Sequence, residues 1–249
     1  MTDRPIARRE FVRWAAGSLL GAGILAACDG DSPSAPTAPG DRVFSADLSK
    51  TWGPEWLSLR YETALQAFSG GLGIEMGPAV RDALDDAFYM PYPVIVTSVQ
   101  ASDVLVRCDV RGGAASGAGV IVRSSFDACY ALFVTPGELQ LARYSPSART
   151  ILDRTALPHD GWWSLSLSAV GGRLLGSAQS GEEHAEVEAG DAQPLEAGHV
   201  GVLGLPLGTE DTERVMFRRF RVDAGRARND RRPQFVYAFT GAVVPEGRG

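Results

Sequence analysis

Apolar and polar positions alternate most cleanly over residues 104–111. Val104, Val106, Cys108 and Val110 fall on one side of an extended chain, and Leu105, Arg107, Asp109 and Arg111 on the other. Alternation with a period of two predicts a strand with one buried face. Residues 112–116 form a turn of small side chains, and 117–123 a second strand. Two more strands follow at 130–134 and 139–144, separated by Pro136-Gly137. The strongest pattern lies in 161–170, where Trp163, Leu165, Leu167 and Ala169 interleave with Trp162, Ser164, Ser166 and Ser168. Gly171-Gly172 then turns the chain into a strand at 173–178. Residues 180–192 are dominated by charge and read as a loop. Strands at 200–205 and 216–222 complete the series, with Phe220 and Val222 set against Arg219, Arg221 and Asp223 in the last.

The pattern is less regular upstream. Residues 42–63, with Trp52, Trp56, Leu57, Leu59 and Tyr61, read as a lead-in and a first strand. Gly70, Gly71 and Gly73 mark a turn and a short strand within 68–76. Val80, Leu84 and Phe88 recur at helical spacing behind Pro78, which predicts one short helix over about 78–88. Pro91 and Pro93 end it, and 94–99 is a β-branched strand. Short strands with turn signals every 8–12 residues or so make an all-β sandwich or barrel.

The first 41 residues stand apart. Arg4, Arg8, Arg9 and Arg13 precede an apolar run over 14–27, and Cys28 follows Leu25-Ala26-Ala27. A positive start, a short apolar run and small residues before a cleavage point describe an export signal. The run is about 14 residues, short of the roughly 20 that span a bilayer as a helix. Residues 29–41 are Asp, Gly, Ser, Pro, Ala and Thr, with no large apolar side chain, so they read as a disordered tether. The expected organisation is a removed signal (1–27), Cys28 with its tether (28–41), a β-sandwich domain (42–223), and a basic linker with an extra strand (224–249).

Composition narrows this further. A formal net charge of −6 argues against nucleic acid as a partner. Register decides the cysteines. Centring one turn on Ala114 pairs Cys108 with Val120, and centring the next on Phe126 pairs Val120 with Leu132 and Cys129 with Arg123. Cys108 and Cys129 then sit two strands apart on opposite faces, with Cα atoms roughly 14 Å apart. A disulfide needs under about 7 Å. Two free thiols are expected, with Cys108 in the core.

Two resemblances add to these patterns. Arg8-Arg9-Glu10-Phe11 resembles the twin-arginine motif of bacterial Tat signals, with Ala7 where Ser or Thr is usual. Leu25-Ala26-Ala27-Cys28 is similar to the bacterial lipobox at all four positions. That resemblance implies cleavage before Cys28 and a diacylglycerol thioether, usually with an N-acyl chain, on Cys28. The partner of such a chain is a lipid bilayer, and its place is the cell envelope: the outer side of the cytoplasmic membrane, the periplasm or the outer membrane. Residues 101–222 resemble the concanavalin A-like jelly roll, including laminin-G-type domains. The resemblance rests on the order of AGVIVR, LQLARY, GWWSLSLSAVGGRL, GHVGVLGL and FRRFRV.

Candidate chemistry is sparse. Glycosidases of this fold carry an ExDxxE arrangement, and none occurs. Glu186-Val187-Glu188 is the nearest cluster, in the charged stretch read as a loop, and Asp82, Asp85 and Asp86 read as the wet face of the helix. His159, His184 and His199 are scattered. No catalytic residue, metal site or cofactor is expected. Calcium remains an option through loop residues such as Asp127 and Asp153, without a defined ligand set. Register places Arg107, Asp109 and Arg123 opposite the valine face, joined by Phe133 and by Arg143 or Tyr144. These six make the candidate ligand face, suited to sugars or acidic groups. The expectation is a membrane-anchored, non-catalytic binding module for a glycan or an envelope protein. The alternatives are a carbohydrate-active hydrolase-related domain and the front part of a larger phosphatase-type architecture, to whose opening strand residues 235–239 bear a weak resemblance.

Overall fold

A computed structural model of the chain describes residues 40–48, 56–58, 66–68, 71–76, 94–125, 128–145, 148–158, 160–206 and 213–229. The expected helix at 78–88 lies outside these residues. So do Arg8, Arg9, Phe11, Cys28, most of the tether, Asp127, His159 and residues 235–239.

The described residues form an all-β jelly-roll sandwich of two antiparallel sheets. Sheet 1 runs in the order β13 (Glu183–Gly190), β12 (Arg173–Ser180), β11 (Trp162–Val170), β6 (Val104–Arg111), β15 (Glu213–Ala224), β4 (Gly71–Met76) and β3 (Gln66–Phe68). β1 (Asp41–Ala46) pairs with the C-terminal half of β15. Sheet 2 runs β10 (Ala148–Ala156), β9 (Glu138–Ser145), β8 (Cys129–Thr135), β7 (Ser116–Ser124), β14 (Gly198–Pro206), β5 (Val94–Ala101) and β16 (Ala227–Asn229), with β2 (Trp56–Ser58) also on β5. The tether's last residue, Asp41, is thus already in a sheet, and the folded part continues past Val222 to Asn229.

The alternating patterns point where expected. Val104, Val106, Cys108 and Val110 meet Trp163, Leu165, Leu167 and Ala169 across β6–β11 and face Val120, Val122, Tyr130 and Leu132 of sheet 2. These side chains are buried between the sheets, and each buried side chain of Val or Leu size contributes about 1.5–3 kcal/mol. The outer face of sheet 2 is apolar as well. Ile121, Ala131, Phe133, Ala142, Tyr144 and Leu203 form a second buried cluster there, and β7 is buried at all nine positions.

Three expectations are corrected. β6 and β7 do not form a hairpin: each already has two sheet neighbours, β11 and β15 for β6, β8 and β14 for β7. The small residues 112–115 therefore make a corner between sheets, and the pairing of Cys108 with Val120 does not occur. Val120 does pair with Leu132. Both thiols are free and buried, in different sheets and different apolar clusters. The charged stretch after Ser180 is not a loop but strand β13, paired with β12 along its whole length. Asp153 lies in β10 rather than a loop; its Oδ2 accepts the Glu188 N–H of β13 at 2.9 Å, tying the edges of the two sheets together.

Candidate functional site

The six residues read as one ligand face separate into three places. Arg107 and Asp109 lie on the outer face of sheet 1, as expected. Phe133 and Tyr144 are buried in the apolar cluster on the outer face of sheet 2. Arg143 and Arg123 lie at the end of the sandwich where β8 begins and β13 ends.

That end is a polar clasp. The Tyr130 hydroxyl donates to Asp191 Oδ2 and accepts the Leu195 N–H at 3.0 Å. Arg143 donates to the same carboxylate oxygen at 2.8 Å. Arg123 has a left-handed backbone, φ 51°, and donates to the carbonyls of Ser102 at 2.6 Å and Leu195 at 3.0 Å. Burial pushes the Tyr130 hydroxyl above its ordinary range, reinforced by its bond to Asp191. Burial likewise lowers the Arg123 guanidinium, against the pull of Tyr130, Asp103 and Asp191. Arg123 is 3% exposed, and every one of these contacts is internal. The clasp fixes the loop around Leu195 and leaves little to offer a ligand. A shallow groove at the opposite end, between Thr135, Pro136, Gly113, Asp160 and Trp163, has Asp160 as its one ionisable lining residue.

The outer face of sheet 1 is different in kind. It is polar and built on two buried carboxylates. Asp109, 6% exposed, accepts Ser164 Oγ at 2.8 Å and Arg218 Nε at 3.0 Å, and is also bound by Arg219. Asp223, fully buried, accepts Arg107 Nη1 at 2.6 Å and Arg221 Nε at 2.7 Å. A bulge in β15 makes the first constellation. Arg218 pairs with Asp109 and Arg221 with Arg107, so Arg219 and Phe220 together stand opposite Cys108. Arg219 adopts φ 54° and gives its N–H to the Asp47 carbonyl. A left-handed backbone at a non-glycine residue costs roughly 1 kcal/mol. In return Phe220 stays in the core, and Arg218 and Arg219 both reach Asp109.

Cross-strand pairing continues the face towards the other edge. Arg221, Arg107, Ser166, Ser177 and Glu186 lie in one lateral row, and Arg218, Asp109, Ser164, Gln179 and His184 in the next. Serines thus lie beside the guanidiniums, the Ser164 hydroxyl given to Asp109 and the Ser166 hydroxyl buried. Trp162 closes one corner, with the Arg218 Cζ 4.1 Å from its ring centroid, a cation–π stack. Sequence reasoning placed Arg107 and Asp109 here and missed Trp162, Ser164, Arg218, Arg219, Arg221 and Asp223. The signal was present in the polar positions of β11, whose alternation is regular, and of β15, where the bulge breaks it.

Glu186 and Glu188 are exposed edge residues. Glu186 contacts His184 Nε2 at 2.8 Å, and Glu188 pairs with Arg173 Nε at 2.8 Å. Among the described residues no group of three or more His, Cys, Asp or Glu is placed to hold a metal ion.

No protein-family model matches the sequence, and no curated protein matches it. Solved structures share the fold. The carbohydrate-binding module CBM66 from Bacillus subtilis superposes with a TM-score of 0.51 at 14% identity, over 68% of this chain and 96% of that one. A β-glucanase from Bacillus licheniformis gives 0.54 at 8% identity, over 75% and 99%. A GH43 protein from Bacillus licheniformis gives 0.55 at 13% identity over 72% of this chain, but over only 39% of its own length. These likenesses establish the concanavalin A-like jelly roll.

Proposed function

We propose that this chain is a lipid-anchored protein of the cell envelope whose sandwich is a non-catalytic, glycan-binding module. The observation that carries the binding half is the outer face of sheet 1: a polar sheet surface with a half-buried Trp162 and partly exposed guanidiniums, held in place by buried Asp109 and Asp223. Such a face offers a sugar chain guanidinium donors and an aromatic edge on a preorganised surface. The shared fold of a carbohydrate-binding module and a β-glucanase supports the ligand class. Binding is favoured over hydrolysis because the buried carboxylates Asp109 and Asp223, and the partly buried Asp191, are each bound by arginine, whereas a glycosidase keeps two carboxyl groups directed at the scissile bond.

The anchor half rests on the Leu25-Ala26-Ala27-Cys28 run. Two or three acyl chains on Cys28 give stable membrane attachment. Cys28→Ser should move the protein from the membrane pellet to the soluble fraction; a variant that still pellets overturns the anchor. For the module, a glycan array probed with protein starting at Ser32 should give signal that Arg107→Ala reduces. Steady turnover of an oligosaccharide by the same protein would instead establish a hydrolase.

A further inference from the structure

The glycan reading leaves open which sugars the face takes. We infer that it takes an acidic polysaccharide, one bearing carboxylates along its chain. This deepens the proposed function and rests on it.

The first ground is charge. Arg107, Arg111, Arg214, Arg218, Arg219 and Arg221 lie at outward positions of β6 and β15, against Asp109 and Asp223 on the same two strands, with Glu186 and Glu188 on the far strand β13. The β6–β15 part of the face therefore carries more positive than negative charge, on a chain whose formal net charge is −6. A local field opposite in sign to the whole protein selects anionic partners. The second ground is geometry. Both buried carboxylates are already gripped by guanidinium pairs, Arg218 with Arg219 and Arg107 with Arg221. The two constellations are two residues apart on β6, about 7 Å along the strand. The pairing uses only part of each fork. Arg107 gives Asp223 one Nη, and the side chains of Arg107, Arg218, Arg219 and Arg221 remain 38, 37, 65 and 38% exposed. The fork of N–H groups on a guanidinium matches a carboxylate's two oxygens. Exposed Arg111 has no ion pair among the described residues. The third ground is the bulge. Arg219, at φ 54°, brings a second guanidinium to Asp109 on this face.

The test uses protein starting at Ser32 with polygalacturonate, its fully methyl-esterified form, and a neutral glycan panel. Polygalacturonate should bind, the ester should bind at least tenfold more weakly, and affinity should fall as salt rises from 0.05 to 0.5 M, as exposed charges are screened within about 10 Å at 0.1 M. Arg111→Ala and Arg219→Ala should each weaken binding about fivefold, equivalent to about 1 kcal/mol, with unchanged thermal midpoints showing that they fold. Arg149→Ala, on sheet 2, should leave binding as it is. Equal affinity for acid and ester overturns this inference and leaves the glycan reading standing. Binding only to neutral glycans does the same. Polygalacturonate binding that both Arg variants retain in full overturns the face. Binding to none of the probes removes the glycan reading and this inference together.

Discussion

Asp109 and Asp223 hold together a surface that would otherwise repel itself. Each neutralises guanidiniums that the sheet brings side by side. Removing Asp109 leaves Arg218 and Arg219 facing each other and Ser164 without its acceptor. Asp109→Ala should cost about 1–2 kcal/mol, less than a fully buried pair because Arg218 and Arg219 are 37 and 65% exposed. A shift of the urea midpoint with unchanged slope would show it. Ser166 is the opposite case. Its Oγ is buried with no hydrogen-bond partner among the described residues, so Ser166→Ala should leave stability unchanged or raise it by up to about 1 kcal/mol. The thiols provide a third case. Burial pushes Cys108 and Cys129 far above the ordinary thiol range, and Asp109 pushes Cys108 further. The unfolded chain therefore loses these protons first as pH rises. Their contribution to stability is present in full below the ordinary thiol value of about 8.5 and declines above it. Unfolding free energy of protein starting at Ser32 should fall between about pH 8.5 and 10.5, and Cys108→Ala/Cys129→Ala should flatten that slope. A slope unchanged by the double variant would contradict the assignment.

The legibility of each element depended on where its apolar residues point. β6 and β11 each have one apolar face and are flanked by strands on both sides, so their alternation read directly. β13 alternates too, with Ala185, Val187 and Ala189 turned inward, but its intervening His184, Glu186 and Glu188, and Glu183 ahead of them, hid it. Those charges are what an edge strand carries to discourage further pairing. β10 was missed for the same reason, since only Ile151 and Leu152 mark it as apolar. The corner at 112–115 misled because small residues serve a hairpin and a sheet-to-sheet crossing equally well. The site was half legible: β6 announced Arg107 and Asp109, but their partners lie more than a hundred residues away on β15, and only the register joins them. Close packing makes its own demand in sheet 2. A Cβ on Gly119 would lie 2.3 Å from the Leu132 carbonyl oxygen and 2.5 Å from Phe133 Cβ. Gly119→Ala should therefore destabilise by about 3 kcal/mol, and a thermal midpoint within a degree of wild type would contradict this packing.

At the scale of the whole molecule, the two sheets differ in what they present. Sheet 2 buries apolar side chains on both faces, whereas sheet 1 has one apolar and one polar face. The polar face is positive in an otherwise acidic protein, and Asp109, Asp223 and the bulge at Arg219 fix its guanidiniums before any ligand arrives. An anchor at Cys28 and a tether would hold that face within reach of surface polymers. The most direct test is an NMR titration of protein starting at Ser32 with an oligogalacturonate, following arginine Nε–H and tryptophan indole signals. The resonances of Arg107, Arg111, Arg218, Arg219 and Arg221, with the Trp162 indole, should move together and saturate along one isotherm. Movement confined to Arg123 and Arg143, or to no arginine at all, would contradict the assignment of this face as the binding site.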